Sequence, residues 1–276
     1  MNRLFLLLVI GWSGISVAQV PRLVASASNG EARPSYLLPA DIVAGNAQKP
    51  APLDVAATLP RMTPELALQA YQRRWEMQSG TLASYSAKTL IRAELPETQQ
   101  QGELRLERYF AAPRTLVFKS VEFTGDKFVK NNVITRLLQS EVDHVQKDDT
   151  FLTALTVVNY KFSSKGTSQV NGRTVHDFQV KPRKKRAGMF KGHVYLDAYT
   201  GSLVRVEGSV VKSPSFFIRK IDFIQDYADV GAFTFPIHMH SEALARIIGR
   251  AVVDIYQQDY RPETSVAQVA LQVPTP

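Results

Sequence analysis

From Gly192 to Tyr260 the chain alternates apolar and polar residues over several strand-length runs. Phe233, Phe235, Ile237 and Met239 alternate with Thr234, Pro236, His238 and His240. Just upstream, Phe217, Ile221, Phe223 and Tyr227 share one parity, with Arg219 and Gln225 between them. Strict period-two alternation is the mark of strands with one dry face and one wet face. A meander of such strands is an antiparallel sheet. Its apolar face has to be covered, either by the chain's own helices or by a ligand as well.

The rest of the chain supplies more strands and few helices. Thr63-Pro64-Glu65 reads as a helix start, with Thr63 at the N-cap, Pro64 at N1 and an acid in the first turn. Leu68, Tyr71 and Trp75 fall on one face of that helix, which should end near Ser79-Gly80. Strands are expected at Tyr85–Leu95, Glu103–Phe110 and Arg114–Phe123. In the second of these, Leu104, Leu106 and Arg108 share a parity. From Lys127 to Val145 the period changes. Val133, Leu137, Leu138 and Val142 sit at helical spacing, which predicts an amphipathic helix lying over the sheet. Strands resume at Thr156–Ser163 and Arg173–Lys181, around a turn with Asn171-Gly172. Gly192–Ala198 and Leu203–Lys212 form a further hairpin, and Phe216–Tyr227, Phe233–Glu242 and Arg250–Tyr260 complete the meander. About ten strands and two or three helices predict an α+β domain whose sheet curls around its helices.

The ends set the compartment. Arg3, the apolar run Leu4 to Ile10 and the small-residue site Ser16-Val17-Ala18 read as an export signal over residues 1–18. Residues 19–61 carry six prolines among Ala, Ser, Asn and Gly, and read as a disordered tether. The folded domain is expected over 62–262, with a flexible tail over 263–276. The chain has no cysteine, which excludes disulfides, thiol catalysis and thiolate metal sites. These features together predict a periplasmic protein.

Lysines and arginines number 33 against 25 acids, a formal net charge of +8. Such a balance favours anionic surfaces, and in an exported chain these are headgroups or acidic proteins rather than nucleic acid. The densest cluster is Lys181, Arg183, Lys184, Lys185 and Arg186, with Lys191 close behind. It is either a solvated loop or a docking patch for an anionic lipid or an acidic partner. His238 and His240 point the same way on a strand, but no third ligand stands at a fixed offset, so no metal is assigned. There is no GxSxG elbow, phosphate loop, HExxH or dinucleotide fingerprint. The expectation is a binding protein, not an enzyme, and without a cofactor. The candidate ligand-contacting residues are Phe217, Ile221, Phe223, Phe233, Phe235 and Met239 on the sheet, with Val133 and Leu137 on the covering helix.

One stretch is similar to a known family. Gly192-His193-Val194-Tyr195-Leu196-Asp197-Ala198-Tyr199-Thr200-Gly201-Ser202-Leu203-Val204-Arg205 resembles the strand-turn-strand of LolA-like outer-membrane lipoprotein-sorting proteins. The order of signal, helix, strands, inserted helix and long meander is similar too, over about residues 63–262. The resemblance implies an incomplete antiparallel barrel around helices, with a concave apolar face that holds acyl chains. It implies a periplasmic carrier of a lipid or lipoprotein acyl chain, expected to be a monomer. The alternative is a periplasmic sensor or scaffold that binds an acidic or membrane partner through its outer face and basic loop.

Overall fold

The structure is a computed structural model that describes residues 60–147, 150–213, 218–246 and 248–265. Ten antiparallel strands form a single open, curved sheet in the order β3-β2-β1-β10-β9-β8-β7-β6-β5-β4. The strands are β1 (Leu82–Leu95), β2 (Gln100–Ala111), β3 (Thr115–Gly125), β4 (Tyr160–Val170) and β5 (Arg173–Pro182). They continue with β6 (Phe190–Asp197), β7 (Leu203–Val210), β8 (Ile218–Val230), β9 (Phe233–Ala245) and β10 (Gly249–Thr264). Every adjacent pair is consecutive in sequence except β1·β10, which joins the first hairpins to the end of the meander. The sheet does not close, so β3 and β4 are its edges.

Two helical segments cover it. The first, α1 (Pro64–Thr81), starts as expected: the Thr63 side chain accepts a hydrogen bond from the Leu66 N–H at 3.3 Å. The second follows β3. A short α turn, α2 (Lys127–Val129), runs through a π-helical stretch (Lys130–Ile134) into α3 (Thr135–Lys147). The helical spacing of Val133, Leu137 and Val142 therefore marks a real amphipathic helix. The π stretch widens one turn, and Val133 and Ile134 from that turn are buried.

The strands differ from expectation at their ends. Residues 156–159 form turns rather than the start of β4, because Asn159 uses its side-chain amide to satisfy the carbonyls of Phe151 (2.7 Å) and Ala154 (2.9 Å). Beyond Tyr160 and Phe162, β4 runs on to Val170 through mostly polar, exposed residues. That length buries neither face, so alternation gives no sign of it; its pairing to β5 holds it. β10 likewise extends to Thr264, where Glu263 and Thr264 pair with Ser84 and Leu82. Asn171 (φ 50°) and Gly172 (φ 75°) make the β4–β5 turn with two positive φ angles, as an Asn-Gly hairpin requires.

The apolar interior divides into three groups. One lies beneath the 127–147 helix and combines Ile91, Leu104, Leu106, Val253 and Ile255 with Val129, Val133 and Leu137. A second lies beneath α1 and is richer in rings: Tyr71, Tyr160, Phe178, Phe190, Phe223 and Tyr227. A third, at one end, stacks Tyr85, Phe110, Phe233, Phe235 and Tyr260. No helix among the described residues is long and apolar enough to cross a membrane.

Candidate functional site

The 127–147 helix is anchored at its start. The Gln101 N–H donates to the Asp126 carboxylate and the Asp126 N–H donates to the Gln101 carbonyl, at 2.9 and 2.8 Å. Gly125 just before it has φ 105°, and a Cβ there would lie 2.4 Å from the Gln101 carbonyl oxygen. A glycine is needed for the chain to leave β3 and turn over the sheet at this contact.

From that anchor the helix crosses the apolar face. Val133, Leu137, Ile221 and Met239, four of the expected ligand-contacting residues, meet in one buried group beneath it. Phe223 belongs to the group under α1, in an edge-on contact with Phe190 (centroids 5.2 Å apart). Phe233 and Phe235 lie at the far end, where Phe235 stacks on Tyr260 at 4.3 Å. Phe217 lies outside the described residues.

Within the apolar layer sits a buried ion pair. Arg108 on β2 donates from Nη2 to Glu141 Oε2 on α3 at 2.6 Å. The two residues are 4% and 9% exposed, so both charges have left water. Burial works against the charged guanidinium, but Glu141, with help from Tyr85 and Tyr260, outweighs it and raises the Arg108 pKa above its usual value. The guanidinium also lies over the Phe118 ring, 5.0 Å from its centroid. Arg108 Nε and the Thr89 hydroxyl nearby on β1 have no hydrogen-bond partner among the described residues. Parity with Leu104 and Leu106 was the sequence signal that Arg108 faces inward. Glu141 stands four residues after Leu137 and four before Val145, which places it on the same buried helix face.

The basic cluster lies elsewhere. Lys181 is exposed near the end of β5, Arg183, Lys184 and Lys185 are exposed in the loop after it, Arg186 is half-buried, and Lys191 is exposed on β6. His238 and His240 do have an acidic partner that spacing along the chain could not reveal. Asp254 on β10 faces them across the ladder, and one of its oxygens lies 3.2 Å from His238 Nε2 and 2.9 Å from His240 Nδ1. No cluster of three or more metal-ligating side chains occurs among the described residues. A groove of about 400 Å³ opens near the β3 edge, lined by Lys88, Leu90, Arg105, Glu107, Val121 and Tyr256 among others. Most of its lining residues are exposed and three of them, Lys88, Arg105 and Glu107, are charged, which sets it apart from the layer under the helix.

The Asp197–Gly201 turn explains its own residues. Asp197 accepts the N–H groups of Tyr199 and Thr200, both at 2.9 Å, and pairs with Arg173 at 2.8 Å. Burial pushes the Asp197 carboxyl up, but those donors outweigh it and hold it below the ordinary 3.8. Gly201 has φ 69°, and a Cβ there would lie 2.6 Å from the Ala70 Cβ and 2.8 Å from the Ala67 carbonyl. The glycine is therefore where α1 touches the sheet. The motif is a docking point for a helix.

No family model and no curated protein matches the sequence. Solved structures do match. One is a domain assigned to outer-membrane lipoprotein sorting from Vibrio parahaemolyticus, at 13% identity, 75% of this chain, 96% of that one and a TM-score of 0.39. A LolA superfamily protein from Nitrosomonas europaea follows at 7% identity, 73% of this chain, 94% of that one and 0.35. A DUF1329 family protein from Desulfovibrio piger matches at 8% identity, 72% of this chain, 92% of that one and 0.37. The first two matches fall on the same family name that Gly192–Arg205 resembles.

Proposed function

We propose that the protein is an exported, periplasmic binding protein that shelters an acyl chain of a lipid or lipoprotein between the sheet and the 127–147 helix. The observation that carries this reading is the composition of the layer beneath that helix. It is mainly aliphatic, with Phe118 and Phe123 packed against it, and beside it lies a buried cation, Arg108, whose Nε makes no hydrogen bond among the described residues. An amphiphile presents the complementary pair: a chain for the aliphatic surface and an ester or carboxylate oxygen for the guanidinium.

The helix opens by swinging about Gly125-Asp126, which stays fixed to Gln101. Opening breaks the Arg108–Glu141 pair and exposes Val133, Leu137, Ile221 and Met239. The incoming chain replaces the helix contacts, and each methylene it buries contributes about 0.8 kcal/mol. A carrier with this balance loads and unloads through small differences in affinity between donor and acceptor.

The test is direct. Protein purified from its host is extracted with organic solvent and analysed by mass spectrometry, and the stripped protein is titrated with a fluorescent fatty acid. The expected result is co-purified lipid and saturable binding that weakens in Leu137→Asp. Absence of both lipid and fatty-acid binding overturns the reading.

A further inference from the structure

The cations of the 181–186 loop share their surface with exposed apolar side chains. Phe151, Val157 and Val158, in the segment before β4, are 52%, 42% and 78% exposed. Hydrogen bonds weld this segment to the basic loop. The Arg183 N–H donates to the Asn159 carbonyl at 2.8 Å, and Arg183 Nε donates to the Val157 carbonyl at 2.9 Å. Asn159 in turn holds the Phe151 carbonyl. The apolar tips and Arg183, with the lysines that follow it, thus share one surface.

The exposure is built in. On the inner side, Leu155 and Tyr160 are completely buried. The Tyr71 hydroxyl of α1 donates to the Leu155 carbonyl at 2.9 Å, and the Val157 N–H donates to Gln72 Oε1 at 3.4 Å. With that side committed to α1, Val157 and Val158 have no route inward. Adjacent exposed valines beside a phenylalanine are a poor solution for a surface that only meets water.

We propose that this surface docks the protein on an anionic phospholipid bilayer. Phe151, Val157 and Val158 enter the headgroup region, while Arg183, Lys184 and Lys185 rest on lipid phosphates. Apolar tips bordered by cations match the layering of an anionic bilayer surface, apolar within and negatively charged at the rim. A fluid bilayer takes up three separate tips without a preformed complementary pocket, which an acidic protein would have to supply. The net charge of +8 adds long-range attraction to the same surface. The docking surface lies apart from the Arg108–Glu141 layer, so it stands whether or not that layer takes a ligand.

The full chain is sedimented with vesicles of equimolar phosphatidylglycerol and phosphatidylcholine, and with phosphatidylcholine alone, at physiological salt. Binding is expected to the anionic vesicles. Lys184→Gln with Lys185→Gln should weaken it roughly thirtyfold, about fivefold per charge. Val158→Asp should weaken it about tenfold or more. Lys119→Gln, a cation on β3, should leave it unchanged, and the circular dichroism of all variants should match the parent. Absence of vesicle binding, or binding that none of the loop variants alters, overturns the proposal. So does binding that Lys119→Gln weakens as strongly, which would mark general adsorption of a basic chain. Retention on immobilised polyglutamate, lost with the lysine pair but not with Val158→Asp, and without vesicle binding, overturns it in favour of an acidic protein partner.

Discussion

The two helical covers are attached to the sheet in different ways. α1 is held at the level of the backbone. Gly201 lies against Ala67 and Ala70, and Tyr71 donates to the Leu155 carbonyl. Gln78 imitates a peptide group, donating to the Thr234 carbonyl (3.1 Å) and accepting from its N–H (2.9 Å). The 127–147 helix is anchored at its entry, and from there it rests on aliphatic side chains with a buried ion pair. Aliphatic contacts are non-directional and can be exchanged for those of another apolar molecule. A glycine contact and a bidentate amide cannot. The difference is the basis of the proposed roles, α1 fixed and the longer cover displaceable.

The ion pair is where this contrast breaks most easily. Arg108→Ala leaves the Glu141 carboxylate buried without a partner, and about 3–5 kcal/mol of stability should be lost. Replacing both, Arg108→Met with Glu141→Leu, should be neutral or stabilising, because neither charge then has to leave water. Urea denaturation of the two variants and the parent measures this. Amide exchange should rise across α3 in Arg108→Ala while α1 keeps its protection. Equal loosening of both helices would show that they are one unit.

Gly201→Ala tests the other attachment. The added methyl meets Ala70 and the Ala67 carbonyl at a position with φ 69°. A loss of about 1–3 kcal/mol is expected, with α1 the element that loosens. An unchanged thermal midpoint would mean that the turn does not position the helix.

The smallest effect concerns pH. Asp197 has a folded-state pKa below its ordinary 3.8, so its contribution is present above that value and is lost as pH falls through the lower one. Unfolding midpoints measured from neutral pH into that acid window should fall, and Asp197→Asn should flatten this part of the curve while lowering stability at neutral pH. An identical acid profile in the variant would assign the acid sensitivity to other carboxylates.

Much of this was legible in the residues. Period-two runs located the strand cores other than the exposed length of β4, and the change of period at Lys127 located the longer cover. Arg108 was legible by parity and Glu141 by helical spacing. Their pairing was not, since spacing along one element cannot show that two charges on different elements meet. The expected ligand residues separated for a related reason. Parity places Ile221, Phe223, Phe235 and Met239 on dry faces, but register and bulges distribute them over three groups. The relation of Asp254 to His238 and His240 is not legible along the chain, because it exists only across the β9–β10 ladder.

The sequence by itself determined that this chain forms a large antiparallel sheet with few helices, because alternation is a local property that each strand carries alone. It also determined the turns, since Asn171-Gly172 and Asp197–Gly201 specify their backbone angles locally. The tertiary structure decided which apolar residues share a layer, that Arg108 reaches Glu141, and that Phe151, Val157 and Val158 remain outside beside the basic loop. Those outcomes depend on strand register and on which face α1 takes, and both are settled between elements far apart in the chain.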